Sequence, residues 1–147
     1  MHIQEMESFM PKLSLHPGLD MRTKMIVPPE FLVPNVSNHL PAFSDMPSVF
    51  ATAMMVALVE ATCIEAVAGH LSEGEHTVGT LINLSHLAPT PVDMEVKVSA
   101  NLIEIEGRKL LFSVAVWDER EVIGDGWHER AIIDTARFAA PPIGCSV

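Results

Sequence analysis

The sequence predicts an α+β fold in which a largely antiparallel β-sheet wraps around one long central α-helix. Three observations support this prediction. The chain of 147 residues contains one long apolar segment, from Val49 to Ala68, which suits a helix. The segments after it alternate apolar and polar residues, as strands with one wet face do. Short turns join most of these segments, and such turns connect antiparallel neighbours.

A short strand and a long loop are predicted before the helix. Residues 1–19 show no clear period and are assigned to an N-terminal arm. The residues from Met21 to Val27 alternate enough to form a strand, which ends at Pro28 because proline lacks the amide hydrogen. Turn-forming residues are dense from there to Pro47, so this segment is predicted to be a loop beside a site.

The helix is predicted to run to about residue 68. Ser48, or Asp45 ahead of Pro47, can cap its start, and Gly69 or Gly74 can end it. The helix is apolar nearly all round, so a single curved sheet cannot cover it. A second subunit that lays its own helix alongside would complete the burial, and a homodimer is therefore expected.

Four strands are predicted after the helix, with a turn at Glu106 and Gly107 that makes a hairpin. Gly124 and Gly126 in the last strand indicate a bulge or a close approach of two backbones. The folded domain is predicted to span residues 20–138, and residues 139–147 are assigned to a C-terminal tail. The predicted strands lie at residues 77–87, 92–102, 110–117 and 122–135.

Composition narrows the functional classes. A formal net charge of -10 and a pI near 5.0 argue against nucleic-acid binding, which needs clustered basic residues. Eleven uncharged residues from Val49 to Val59 are too few to span a membrane, which takes roughly 20. The cysteines are Cys63 in the apolar segment and Cys145 in the tail, a pattern that favours a reducing compartment, and no secretory signal is visible. A cytoplasmic protein is expected.

Three polar residues stand in apolar surroundings: Thr52, Glu60 and His86. Each has a structural interpretation, because the threonine could bond a helix carbonyl, the glutamate could face water and the histidine could be a satisfied core residue. Together they offer a base or nucleophile, a proton carrier and a hydroxyl beside the first free helix amides. Eight residues separate Thr52 from Glu60, or about 12 Å along a helix. If both act on one substrate, they are expected to come from different subunits.

A metal site is a weak alternative. No two of the candidate histidines share a standard helical ligand spacing, and His128 alternates with Glu129 on a predicted strand. No metal and no cofactor are expected. The candidates are His70, His76, His86 and His128.

Seven motifs stand out as a set: Phe43 to Thr52, Met54 to Glu60, Gly79-Thr80, Ser85-His86, Ala88 to Pro91, Glu106 to Arg108 and Gly126 to Arg130. Together they resemble the fluoroacetyl-CoA thioesterase group of the hotdog-fold thioesterases. The resemblance covers about residues 20–138 and implies a hotdog fold, a homodimer that could pair further into a dimer of dimers, and hydrolysis of an acyl-CoA thioester.

The resemblance also implies roles for single residues. Thr52, Glu60 and His86 correspond to the catalytic residues of the group, and Gly79 and Arg130 to residues that line its site.

The fluoroacetyl-specific enzyme gates its pocket with two phenylalanines. Here the first is Phe43, but the second position is Met46, which is flexible and lacks a flat ring. Another short acyl group is therefore as reasonable a substrate as fluoroacetyl.

Three functions stay open from the sequence. The first is a thioesterase in which Glu60 attacks the thioester carbonyl or activates water, and in which Arg130 or another basic residue holds a CoA phosphate. The second is a non-catalytic hotdog module that binds or senses an acyl-CoA. The third is a hotdog hydratase, which is less favoured because no paired aspartate and histidine occur at the helix start.

Overall fold

The computed structural model describes residues 14–139 and confirms the predicted α+β class. One antiparallel sheet of five strands has the order β1-β3-β4-β5-β2, and a long helix, α1, lies against it. The strands are β1 (Asp20–Ile26), β2 (Glu75–His86), β3 (Glu95–Glu106), β4 (Lys109–Trp117) and β5 (Val122–Asp134). The helices are α1 (Thr52–Ala68) and the short α2 (Thr135–Ala139).

The core lies between one face of α1 and the inner face of the sheet. Alternation in the strands produces this face, since β4 buries every second residue from Leu110 to Val116. From α1, the buried residues are Met55, Val59, Thr62, Cys63, Ala66 and Val67. The opposite side of the helix is exposed and carries mostly small residues: Ala53, Ala57, Ala61 and Ile64.

The helix starts later than predicted, and its predicted caps are wrong. Its N-cap residue is Ala51, and no side chain caps it, so neither Ser48 nor Asp45 has that role. The segment before the helix is instead held by backbone bonds to distant residues: the amide of Ala51 donates to Phe31 at 2.9 Å and the amide of Phe50 to Thr90 at 2.8 Å. Tertiary contacts therefore set the start of α1.

The helix ends as predicted at residue 68, followed by Gly69. Gly69 has a right-handed helical backbone conformation, with φ of -79°, so the helix end does not need a residue that tolerates positive φ. The loop before the helix is also confirmed, and it contains three short 3-10 helices: Pro29–Phe31, Val33–Asn35 and Pro41–Phe43.

The strands confirm the predicted hairpins, with β3 extending four residues further than expected. The turn from β3 to β4 contains Gly107 at φ of 60°. The prediction of a close approach is confirmed at Gly126, where an added Cβ would lie closer than 2 Å to the carbonyl oxygen of Asn83 on β2. Only glycine allows β2 and β5 to pair at this point.

The ends of the described region pack against the sheet. Leu15 is buried, and the amide of Gly18 donates to the carbonyl of Leu102 at 2.7 Å, so the last residues of the predicted arm contact β3. Residues 1–13 and 140–147, which include Cys145, lie outside the described residues. Among residues 14–139, no helix has the length and apolarity needed to cross a membrane.

Candidate active site

The structure brings Thr52 and His86 together. Thr52 is the first residue of α1, and His86 is the last residue of β2. Oγ1 of the threonine lies 2.7 Å from Nδ1 of the histidine, a hydrogen bond in which either atom can donate. The pair therefore presents a hydroxyl whose proton position is coupled to an imidazole.

The ring of His86 is held against the core. Phe50 contacts it edge-on, with 6.5 Å between the ring centroids. Burial lowers the pKa of His86, and the nearby backbone of Ala88 offsets this only in part, so the imidazole is neutral at pH 7. Its Nε2 is enclosed and has no hydrogen-bond partner among residues 14–139. Such an unpaired polar atom is uncommon in a folded protein and is typical of functional sites.

Glu60 lies in the middle of α1 and belongs to a second cluster, which it forms with His128 and Arg130. Its side chain is 41% exposed, so the single chain does not bury it as fully as its apolar neighbours in sequence suggest. Oε1 accepts a hydrogen bond of 3.1 Å from Nη1 of Arg130 and lies 3.9 Å from Nε2 of His128. Within residues 14–139, the contacts of this carboxylate involve Oε1 alone, and Oε2 is left without a partner.

Gly79 on β2 allows the carboxylate to lie against the strand. A Cβ added there would lie 2.7 Å from Oε1 of Glu60, which is closer than real contacts allow. The same Cβ would lie 3.3 Å from His128 and 3.4 Å from Arg130. The glycine therefore lets the carboxylate lie this close to the strand, and Thr80 beside it forms a bulge in the pairing of β2 with β5.

Arg130 is buried and engaged in protein contacts on every side of its guanidinium group. It is 4% exposed. Nε donates to Oγ1 of Thr77 at 2.8 Å and Nη2 to the carbonyl oxygen of Thr77 at 2.9 Å. Nη1 donates to Glu60 and to Nε2 of His128. These contacts favour a role in holding Glu60 over the predicted contact with a CoA phosphate.

A cavity of about 280 Å³ lies beside the second cluster. It is open to solvent, and its volume lies just below the range of roughly 300–1,000 Å³ that is typical of ligand pockets. Its lining residues are Val56, Glu60, Gly79, Thr80, Leu81, Ile82 and His128.

The two predicted gate residues lie in the loop before α1. Phe43 ends the third 3-10 helix and is half-buried, whereas Met46 is 48% exposed. The amide of Met46 donates to the carbonyl of Phe43 at 3.2 Å, which places both residues on one turn. Neither lines the cavity beside Glu60, so a gating role stays a prediction.

The two clusters remain separate within one chain. Thr52 and Glu60 lie on the same helix about 12 Å apart along its axis, as predicted from their spacing. No hydrogen bond or ion pair described for residues 14–139 links one cluster to the other. In the same part of the chain, no three His, Cys, Asp or Glu side chains converge in a way that could hold a metal ion.

Sequence reasoning missed three residues of the site. Phe50 orients His86, Thr77 holds Arg130, and His128 contacts Arg130 and Glu60. The last was considered only as a weak metal ligand. Its strand position two residues before Arg130 was a usable signal, because residues i and i+2 face the same side of a sheet.

Solved structures define the class of protein. A hot-dog-like protein from Thermanaerovibrio acidaminovorans matches with a TM-score of 0.72 and 22% identity, over 84% of this chain and 87% of that chain. A mutant of the fluoroacetyl-CoA-specific thioesterase FlK, in complex with fluoroacetate and CoA, matches with a TM-score of 0.82 and 39% identity, over 84% of this chain and 99% of that one. The fold and the likeness to this thioesterase thus define the class as that of the hotdog-fold thioesterases.

The family follows from sequence. The family model of FlK, fluoroacetyl-CoA-specific thioesterase, matches residues 35–136. The fluoroacetyl-CoA thioesterase of Streptantibioticus cattleyicolor is 42% identical over 115 residues, which cover 78% of this chain and 83% of that relative. This chain belongs to the FlK family, and the resemblance inferred from its motifs is confirmed.

Proposed function

We propose that this protein hydrolyses a short acyl-CoA thioester to the free acid and CoA. The observation that carries the proposal is the carboxylate of Glu60, which is held through Oε1 by Arg130 while Oε2 is unpaired, in the wall of a small cavity. A fixed carboxylate with one free oxygen suits attack on a carbonyl carbon, either directly or through water. The FlK relatives support the reaction and the CoA-linked substrate class.

The proposed reaction forms a bond from oxygen to the thioester carbon and breaks the bond from carbon to sulfur. Charge that develops on the carbonyl oxygen is stabilised by the hydroxyl of Thr52 and by the free amides at the start of α1. His86, neutral and bonded to Thr52, relays a proton from the attacking water to the leaving thiolate, which becomes CoA thiol. The chemistry requires no metal and no cofactor beyond the CoA of the substrate.

Two routes for Glu60 are distinguished by trapping and isotope labelling. If Glu60 is the nucleophile, an anhydride of Glu60 forms, and hydroxylamine added during turnover converts it to a hydroxamate. If that anhydride is opened by water at the glutamyl carbon, a single turnover in ¹⁸O-labelled water also leaves carboxylate oxygen in the acid and puts the label in Glu60. If Glu60 activates water, no anhydride is trapped and all of the new oxygen in the acid comes from solvent.

The acyl group is expected to be small. The fluoroacetate bound by the FlK relative supports this. Met46 in place of a second gating phenylalanine makes acetyl and other short acyl chains as suitable as fluoroacetyl.

We also propose a homodimer whose active sites lie at the subunit interface. Thr52 and His86 would then act as a unit from one subunit, and Glu60 with Arg130 from the other, which resolves their separation along α1. Two surfaces support the pairing. One is the exposed side of α1, and the other is the edge strand β2, where Leu81 is 49% exposed. Two such dimers could pair further.

Mixing two inactive variants tests the shared site. When Thr52→Val and Glu60→Gln subunits combine at random, half of the dimers are mixed, and each mixed dimer has one site with both native groups. About a quarter of wild-type activity should return. A mixture that stays inactive, although native mass spectrometry with a tag on one variant shows mixed dimers, would rule out sites shared between subunits.

A thiol-release assay tests the function itself. We expect release of free CoA from short acyl-CoAs, and loss of release in Glu60→Ala and His86→Ala, with wild-type unfolding midpoints as the folding control. Saturable binding of acyl-CoA without thiol release would favour the alternative of a binding or sensing module. Wild-type turnover in either variant would overturn the proposed roles.

A cytoplasmic location is also part of the proposal. It is supported by Cys63, which is fully buried in the core as a free thiol. Free thiols persist in the reducing cytoplasm, whereas oxidising compartments favour disulfides. Fractionation of the native host with an antibody to the protein would test it.

A further inference from the structure

His128 lies at the centre of the contacts that hold Glu60. It projects from β5, in register with Ile82 on β2, and is only 1% exposed. Nδ1 lies 2.7 Å from the carbonyl oxygen of Leu81, and Nε2 lies 3.0 Å from Nη1 of Arg130. Both ring nitrogens are therefore engaged by the protein.

These two contacts determine which nitrogen carries the proton. A carbonyl oxygen only accepts, so Nδ1 of His128 is protonated and donates to Leu81. A guanidinium group only donates, so Nε2 is unprotonated and accepts from Arg130. Burial lowers the pKa of His128, as does the charge of Arg130, while the bond to Leu81 and the charge of Glu60 raise it. The net direction is downward, which agrees with a neutral ring.

Nη1 of Arg130 is the point at which His128 and Glu60 meet. It carries two hydrogens, and its two acceptors are Nε2 of His128 at 3.0 Å and Oε1 of Glu60 at 3.1 Å. Thr77 holds the other side of the guanidinium group through its hydroxyl and its carbonyl. Without an acceptor at Nε2, the end of the guanidinium group that faces Glu60 is held by Glu60 alone.

We propose that His128 is a positioning residue for thioester hydrolysis: its Nε2 lone pair fixes Arg130 so that Arg130 binds Oε1 of Glu60 and leaves Oε2 free to act. The proposal rests on the role of Glu60 in the proposed function. It assigns no contact between His128 and the reacting atoms. The reaction itself is unchanged; what His128 supplies is the placement of the carboxylate.

Two amide substitutions separate this role from a merely structural one. The end of a glutamine side chain occupies the place of Nε2, so His128→Gln keeps an acceptor for Arg130. The end of an asparagine side chain occupies the place of Nδ1, so His128→Asn keeps a donor for Leu81 but loses that acceptor. We expect kcat of His128→Asn to fall at least about tenfold with KM little changed, and His128→Gln to stay within about threefold of wild type.

Glu60→Gln, assayed in parallel, distinguishes failure of this proposal from failure of the proposed function. If Glu60→Gln is inactive but His128→Asn turns over like wild type, or falls equally with His128→Gln, the positioning role is overturned and the function stands. If Glu60→Gln turns over like wild type, both are overturned.

A second measurement needs no variant to be active. ¹⁵N NMR of the wild-type imidazoles at pH 7 should show His128 with a protonated Nδ1 and an unprotonated Nε2, assigned by the signals that disappear in His128→Gln. A protonated Nε2 would overturn the proposal, because that nitrogen could not accept from Arg130.

Discussion

Replacing Gly79 with alanine should remove most of the turnover and little of the stability. The added Cβ would lie 2.7 Å from Oε1 of Glu60, whereas ordinary contacts begin at 3.4 Å. The carboxylate must therefore retreat by about 0.7 Å, the difference between these distances. The bond from Arg130, now 3.1 Å, would then lengthen beyond hydrogen-bonding distance.

The expected loss of turnover is larger than the expected loss of stability because the two depend on different features of this contact. A displacement of 1 Å in a reacting group can cost about a hundredfold in rate, so kcat should fall about 10- to 100-fold. Glu60 is 41% exposed, so its carboxylate can retreat toward solvent while Arg130 keeps its contacts with Thr77 and His128. Replacing glycine by alanine also stabilises the fold by about 0.4–1 kcal/mol, because it restricts the unfolded chain. The free energy of unfolding should stay within about 1 kcal/mol of wild type.

Gly69→Ala is the matched control. Gly69 lies just after the same helix, has a right-handed conformation and has nothing within 4 Å of an added Cβ. Steady-state thiol release at saturating acyl-CoA gives kcat, and urea unfolding gives stability. The reasoning is refuted if Gly79→Ala turns over like wild type, or if Gly69→Ala loses as much activity.

Four further predictions concern other parts of the chain. Thr52→Val should lower kcat about a hundredfold, because an oxyanion donor is lost, and Thr52→Ser should retain most of it; equal thiol-release rates would contradict this. Met46→Phe should raise the ratio of kcat/KM for fluoroacetyl-CoA over acetyl-CoA, and an unchanged ratio would remove Met46 from the gate. In a Cys145→Ser background, Cys63 should resist a thiol reagent until urea unfolds the protein, because burial raises its pKa to about 12; rapid labelling of the native protein would refute this. The lowered pKa of His128 means that the unfolded chain binds more protons below pH 6.5, so the urea midpoint should be constant above that pH and fall below it, more steeply than in His128→Gln.

Local patterns predicted most of the fold. The alternation of apolar and polar residues located β1 and β3 to within a few residues, because one face of the sheet meets the core and the other is wet. β2 contains no buried residue, so its burial follows no such alternation. The start of α1 was missed because it depends on a contact with a residue that is distant in sequence. Ala51 is held by the distant carbonyl of Phe31 rather than by a neighbouring side chain, and such a contact leaves no local signal.

The candidate site could be predicted only in its separate parts. Glu60 and Arg130 are 70 positions apart in sequence, and their contact depends on the register of β2 with β5. His128 appeared unremarkable because a histidine on a strand has no ligand spacing to mark it. The apolar neighbours of Glu60 suggested full burial, but neighbours in a helix sequence do not all share one face.

The missing side-chain cap at the start of α1 lowers the stability of the helix but leaves its first amides unoccupied. A capping side chain at this position would be worth about 1 kcal/mol, but Ala51 is buried, and a larger polar residue there would have to fit into the core. A cap would also occupy amides that, uncapped, remain available beside the hydroxyl of Thr52. The start of the main helix thus forgoes a stabilising contact at the end where substrate is proposed to bind. Stability and activity therefore place opposite demands on these first amides of α1.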